Sequence, residues 1–166
     1  TAVSQVTGGT GGGPGGFTGD VELANAAYGQ AGTFVTPLQM ALVASTVANG
    51  GELMRPRLVT AITGRGGTHE IGPETLRRVI DRDAAGAITA AMVQAVEGDL
   101  GRRYTAGAGV SGVSTAGKSG TAELGGSGEP HSWFIGFAPA DAPRVAIAVL
   151  VEQALDGQLL LQLLER

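Results

Sequence analysis

Two apolar stretches, Ser132–Ala138 (SWFIGFA) and Arg144–Glu152 (RVAIAVLVE), are separated only by the turn-rich Pro139-Ala140-Asp141-Ala142-Pro143. A link that short cannot carry the crossover a parallel pair requires, so the two strands form an antiparallel hairpin. A third extended candidate, Ser114–Glu123, lies just upstream and is rich in small residues, with glycine inside it. This C-terminal block confines the fold to classes with an antiparallel sheet.

The preceding segments read as helices. Thr36-Pro37-Leu38-Gln39 combines a capping-box pair with proline at the first helical position, and the apolar run continues to Ala48. Asn49-Gly50-Gly51 stops it. Arg55–Ile62 then reads as a short strand, 64–67 as a Gly-rich turn, and Arg77–Ile80 as another extended piece. Asp83 is expected to cap a second helix carrying Ala87, Ile88, Ala91, Met92, Ala95 and Val96 on one face, with Gly98 near its end. Leu155–Arg166 places leucines at helical spacing. Helix, strand, helix, three strands, helix is an α+β order, unlike the βαβ alternation of nucleotide-binding sheets.

Several function classes are excluded early. The formal net charge of −4 offers no basic footprint, so nucleic acid is not an expected partner. His69 and His131 are the only histidines, there is no cysteine, and no metal cluster is expected. The longest strongly apolar run, Val145–Val151, is far too short to span a bilayer, so this chain holds no membrane segment. Its first residue is Thr1, with no leader following, which reads as an internal position of something longer. Residues 8–16 (GGTGGGPGG) read as a flexible loop or linker.

Chemistry concentrates in GVSTAGKSGT, residues 112–121. Gly112–Ser119 fits the phosphate-binding pattern G-x-x-x-x-G-K-[ST] letter for letter. That pattern needs an apolar strand before it and a helix beginning at its Lys-Ser. Gly120 and the following TAELGGSGEP deny it the helix. Lys118-Ser119-Gly120-Thr121 also fits the Lys-Thr/Ser-Gly element of penicillin-binding serine enzymes. On a cleft-lining strand, Lys118 supplies a compact cation, and the Ser119 and Thr121 hydroxyls can donate to a carboxylate. Gly120 admits a second backbone, and the Thr121 N–H is placed to stabilise an oxyanion. Lys118 is the single lysine among 11 basic residues.

Three stretches extend the match: YGQAGTFVTPLQMALVASTVANGGELMRPRLV at 28–59, AGKSGTAE at 116–123, and HSWFIGFAPADAPRVAIAVLVE at 131–152. With the helix at 83–98 they cover most of residues 25–152. In that order they resemble the C-terminal part of the transpeptidase domain of class B penicillin-binding proteins, the peptidoglycan D,D-transpeptidases. The resemblance implies a partial penicillin-binding transpeptidase/serine β-lactamase-like fold, an antiparallel sheet flanked by helices. Residues 1–24 would be a Gly-rich linker and 25–166 the C-terminal part of the domain. Lys118, Ser119, Gly120 and Thr121 would bind the carboxylate of D-Ala-D-Ala stem peptides or β-lactams, and the Thr121 N–H would form half the oxyanion hole. No cofactor is implied. The family works on the extracytoplasmic face of the bacterial inner membrane.

Two departures qualify the match. None of the seven serines (Ser4, Ser45, Ser111, Ser114, Ser119, Ser127 and Ser132) starts a Ser-x-x-Lys or a Ser-x-Asn motif. In the family both motifs lie upstream of the stretch matching 28–59, so the nucleophile is expected before Thr1, in a missing N-terminal part of the same domain. The isolated chain is therefore expected to be inactive. The Leu-rich tail from Gln153 also lacks the family's Ala-Pro entry to its last helix. Alternatives that share the strand are a serine β-lactamase, a D,D-carboxypeptidase, a non-catalytic β-lactam sensor, or a truncated product. Trp133 is expected in the core or cleft wall, His131 in a loop, and Glu123 and Glu129 in solvent.

Overall fold

In the computed structural model the described residues are 5–6, 17, 19–30, 32–99, 111–124 and 128–153. The Gly-rich 8–16 stretch and the Leu155–Arg166 tail lie outside them. The elements run β1 (Gln5–Val6), α1 (Asp20–Ala27), β2 (Thr33–Phe34), α2 (Pro37–Ala48), β3 (Glu52–Met54), β4 (Ala61–Gly64), β5 (Gly67–Glu70), β6 (Thr75–Arg78), α3 (Arg82–Glu97), β7 (Ala116–Ala122), β8 (His131–Ala138) and β9 (Val145–Val151).

The architecture is α+β. Every described strand pair is antiparallel: β1–β2, β3–β6, β4–β5, and a sheet ordered β7-β8-β9. The expected hairpin forms β8 and β9, with Ser132 opposite Val151 and Ala138 opposite Val145. Helix α2 packs on β8 and β9, α3 packs on β7, and the two helices touch each other. Val47 of α2, Met92 of α3, Ala116 of β7 and Phe137 of β8 form one buried cluster, and Val96 with Phe134 forms a second. Burying each phenylalanine contributes about 1.5–3 kcal/mol.

The start of α2 is set by Thr36, whose hydroxyl accepts from the Gln39 N–H at 3.2 Å, with Pro37 in the first turn. Its end is forced open at Gly51, where φ is +92° and an added Cβ would lie 2.1 Å from the Ile80 carbonyl oxygen. Only glycine lets the chain after α2 approach the chain before α3 so closely. The Val79 N–H then donates to the Gly51 carbonyl at 2.8 Å.

Four expectations shift. The cap of α3 is Asp81 and not Asp83: Asp81 is extended and its carboxylate accepts from the Ala84 N–H at 2.7 Å. Asp83 lies in the first turn, where its charge complements the helix dipole. The buried stripe of α3 is Ala85, Met92 and Val96, while Ala87, Ile88 and Ala91 face out. Arg55–Ile62 is not one strand. Strands β3 and β4 lie on either side of 55–60, where Pro56 has no N–H to give a ladder and Leu58 is fully exposed. Finally, α1 begins at Asp20, ahead of the first helix expected from sequence, and buries no residue. An eight-residue helix without a buried face leaves little periodic signal.

Candidate active site

Strand β7 carries Lys118, Ser119, Gly120 and Thr121 in its centre and forms one edge of its sheet. They pair with Ile135, Phe134, Trp133 and Ser132 of β8, respectively. Lys118, Gly120 and Thr121 are exposed, and Ser119 is half-buried. An extended strand at Lys118-Ser119 has no helix N-terminus to present to a phosphate, so the nucleotide-type match at 112–119 lacks its physical basis.

The strand is held from behind. The Glu97 carboxylate, at the end of α3, accepts from the Thr115 N–H at 2.5 Å and lies 3.3 Å from the Thr115 hydroxyl and 3.4 Å from that of Ser114. An added Cβ at Gly117 would lie 2.4 Å from the Phe134 ring and 2.9 Å from a Val96 methyl. The missing side chain at Gly117 is what lets β7 lie flat between β8 and α3. Gly120 differs, because a Cβ there would meet only the Trp133 Cβ, at 3.7 Å.

The direction of the edge follows from one contact. The Gln30 carboxamide, from the segment after α1, donates to the Thr121 carbonyl at 3.0 Å. It also accepts from the Glu123 N–H at 3.4 Å. In an antiparallel strand the N–H and C=O of one residue point to the same side, and residues two apart share that side. The Thr121 N–H and the Ser119 C=O therefore face the open edge with the Thr121 C=O. The Lys118 ammonium donates to the Ser119 carbonyl and so lies along the same edge. This edge presents a cation, two hydroxyls, an outward amide and a step without a side chain. Such a set can pair with an extended backbone and hold a carboxylate.

Other singled-out residues sit apart from that edge. Trp133 is half-buried in β8. His131 is the first residue of β8 and not a loop residue, and its Nδ1 accepts from the Gln153 N–H at 3.0 Å. His69 is exposed in β5, and Glu123 and Glu129 are exposed. Among the described residues no group of three or more His, Cys, Asp or Glu is placed to hold a metal ion. No helix among them is long and apolar enough to cross a membrane. No motif in the sequence marks Gln30, because its carboxamide reaches β7 only through contacts with residues more than ninety positions away.

The described residues form an α+β fold whose β7-β8-β9 sheet has β7, with Lys118–Thr121, at its edge. The chain belongs to the penicillin binding protein transpeptidase domain family, whose family model it matches over residues 5–161. It is 41% identical over 139 residues to the peptidoglycan D,D-transpeptidase PbpA of Mycolicibacterium smegmatis, covering 81% of this chain and 27% of that one. The Mycobacterium tuberculosis PbpA is 39% identical over 140 residues, with the same coverage of 81% and 27%. The chain thus spans about a quarter of the length of these relatives. In three dimensions it resembles the crystal structure of PBPA from M. tuberculosis with a TM-score of 0.79 and 35% identity, over 94% of this chain and 35% of the other. The imipenem acyl-enzyme complex of the same protein gives a TM-score of 0.78 at 36% identity, over 94% of this chain and 33% of the other.

Proposed function

We propose that this chain is the substrate-holding wall of a peptidoglycan D,D-transpeptidase active site, and that β7 is the strand along which the stem peptide lies. The observation that carries this reading is the outward-facing Thr121 N–H on an open edge that also displays Lys118 and the Ser119 and Thr121 hydroxyls. Gly120 supports it, because the described packing does not demand a glycine there, whereas a ligand backbone lying close would.

The chemistry is acyl transfer. A serine hydroxyl attacks the D-Ala-D-Ala carbonyl, the C–N bond breaks, and the serine proton passes to the departing D-Ala amine. The amine of a second stem peptide then attacks the ester, forming the cross-link and returning the proton to the serine. In both tetrahedral stages negative charge develops on the carbonyl oxygen. On this reading the Thr121 N–H donates to that oxygen, where a preorganised donor brings a large catalytic benefit. Lys118, with the Ser119 and Thr121 hydroxyls, neutralises the terminal carboxylate and fixes the register of the peptide.

None of the seven serines is followed by lysine three positions on, so we assign the nucleophile and its base to polypeptide outside these 166 residues. Such polypeptide is also the expected partner that closes the cleft, on the extracytoplasmic face of the bacterial inner membrane. Intact-mass spectrometry after incubation with a penicillin tests the assignment. The 166-residue chain alone should take up no adduct, and the longer polypeptide containing it should take up one per molecule. A stoichiometric adduct on the short chain would overturn the assignment. Rapid hydrolytic loss of the adduct would instead point to a β-lactamase.

A further inference from the structure

We propose that the β4–β5 hairpin is a docking site that takes up a short extended segment of an acidic partner protein as an added strand along β4. The hairpin lies outside the site described above, and nothing in its geometry depends on the catalytic reading. Strands β4 and β5 form a sheet of their own whose eight residues are all exposed, and they pack appreciably only on each other. A two-stranded hairpin is marginally stable by itself in water, and a third strand or a packing partner is what stabilises it. Leu58, Val59 and Ile62 stand exposed along the same stretch of chain, Leu58 completely.

The register fixes which backbone groups face out. The Ile71 N–H donates to the Thr60 carbonyl at 2.8 Å, which makes residues 60 and 71 a hydrogen-bonded pair. Bonded and non-bonded pairs alternate along an antiparallel ladder. Ile62 with His69 and Gly64 with Gly67 are therefore bonded, while Ala61 with Glu70 and Thr63 with Thr68 turn their N–H and C=O groups outward. The Thr63 and Thr68 hydroxyls lie 3.0 Å apart, the close side-chain approach of a non-bonded pair. Along β4 this leaves two donors and two acceptors on an edge that carries no charged residue and no proline, the usual guards against strand addition. Lipid cannot satisfy such groups, whereas the main chain of a protein segment can. Charge decides the kind of segment. Residues 55–79 hold five arginines and two glutamates, a net of +3 in a chain whose formal net charge is −4. Arg55 pairs with Glu74 and Arg78 with Glu52, while Arg57 and Arg65 flank β4 on either side with no ion pair among the described residues. Two copies of so basic a lobe repel each other, which disfavours a second copy of this chain as the occupant. The segment that fits has an apolar centre to cover Val59 and Ile62 and a carboxylate toward each end to meet Arg57 and Arg65.

The test uses the longer polypeptide that contains this chain. The probe is a synthetic blocked heptapeptide with glutamate at both ends and alternating valine and threonine between, beside a control with lysine in place of glutamate. Fluorescence anisotropy of the labelled peptides gives affinity, and amide hydrogen exchange followed by mass spectrometry shows where they bind. The acidic peptide is expected to bind and to slow exchange across residues 58–71, with the lysine peptide at least about 10-fold weaker. Thr63→Pro removes an outward N–H without touching a ladder bond, so the thermal midpoint should hold while affinity falls about 10-fold or more, the loss of one main-chain hydrogen bond with a ring in its way. Arg65→Glu should weaken the acidic peptide and strengthen the lysine one. Should Thr63→Pro not fold, this charge swap carries the comparison. Absence of binding by the acidic peptide, equal binding of both peptides, or wild-type affinity in both variants would overturn the proposal. So would protection of 58–71 that appears only with self-association, or only with vesicles of anionic phosphatidylglycerol.

Discussion

Gly117 and Gly120 sit three positions apart on one strand and lack a side chain for opposite reasons. At Gly117 the space is already filled by Phe134 and Val96, at 2.4 and 2.9 Å from where a Cβ would stand. Gly117→Ala is therefore expected to destabilise the fold by about 1–3 kcal/mol, as overpacking does, measured as a lowered thermal midpoint. At Gly120 the nearest atom is 3.7 Å away, so Gly120→Ala should leave stability within about 0.5 kcal/mol of wild type. The same change should slow penicillin acylation of the longer polypeptide, because the new methyl stands where ligand backbone would lie. If Gly120→Ala instead unfolded the protein and left acylation intact, the functional assignment of that position would fail. If Lys118 holds the ligand carboxylate as proposed, Lys118→Ala should lose about 1.5–3 kcal/mol in binding, or roughly 10- to 100-fold in the acylation rate of the longer polypeptide at low ligand concentration.

At the scale of elements, the helix caps separate what sequence shows from what it hides. Thr36 was legible because its hydroxyl, the following proline and Gln39 form one local pattern, and the cap bond is there. Asp81 and Asp83 were not separable from sequence, since either acid can precede the same apolar periodicity. Backbone geometry decides for Asp81. Asp81→Ala should cost about 1 kcal/mol and Asp83→Ala only a few tenths, both read from denaturant midpoints. The region between α2 and α3 was the least legible, because Arg55–Ile62 has strand composition but its neighbours pair elsewhere. Strands β4 and β5 bury nothing, so no core-facing alternation marks them. Close by, the Arg55 guanidinium lies 2.7 Å from Glu74 and hydrogen-bonds both carboxylate oxygens, chiefly thereby holding Glu74 below the ordinary carboxylate range. A carboxyl whose folded value is depressed stabilises the fold above its unfolded value and loses that contribution as pH falls through the folded one. The pair is exposed on both sides, so its effect on stability is small. An NMR titration should show the Glu74 midpoint below the ordinary carboxylate value, and Arg55→Ala should return it to that value.

For the whole molecule, the part nearest the site was the most readable. The β8–β9 hairpin, the strand through Lys118–Thr121 and helix α2 all follow from short-range pattern, and each is present. What sequence could not give was the orientation of the edge. That the Thr121 amide faces outward follows from a residue 91 positions away, Gln30, and no local pattern encodes it. The tether from Glu97 to Thr115 is likewise a tertiary fact. Large apolar side chains remain exposed around α1 and the start of α2, among them Val21, Tyr28, Phe34 and Leu38. Exposed apolar surface of this kind fits a wall that another part of a domain covers.

In the proposed transpeptidase site the Thr121 N–H of this strand receives the reacting carbonyl oxygen. A crystal structure of the longer polypeptide acylated by benzylpenicillin tests it directly. The ester carbonyl oxygen is expected about 2.7–3.1 Å from the Thr121 nitrogen, with the drug carboxylate against Lys118 and the Ser119 and Thr121 hydroxyls. An acyl carbonyl bound by amides elsewhere, with the β7 edge left empty, would contradict it.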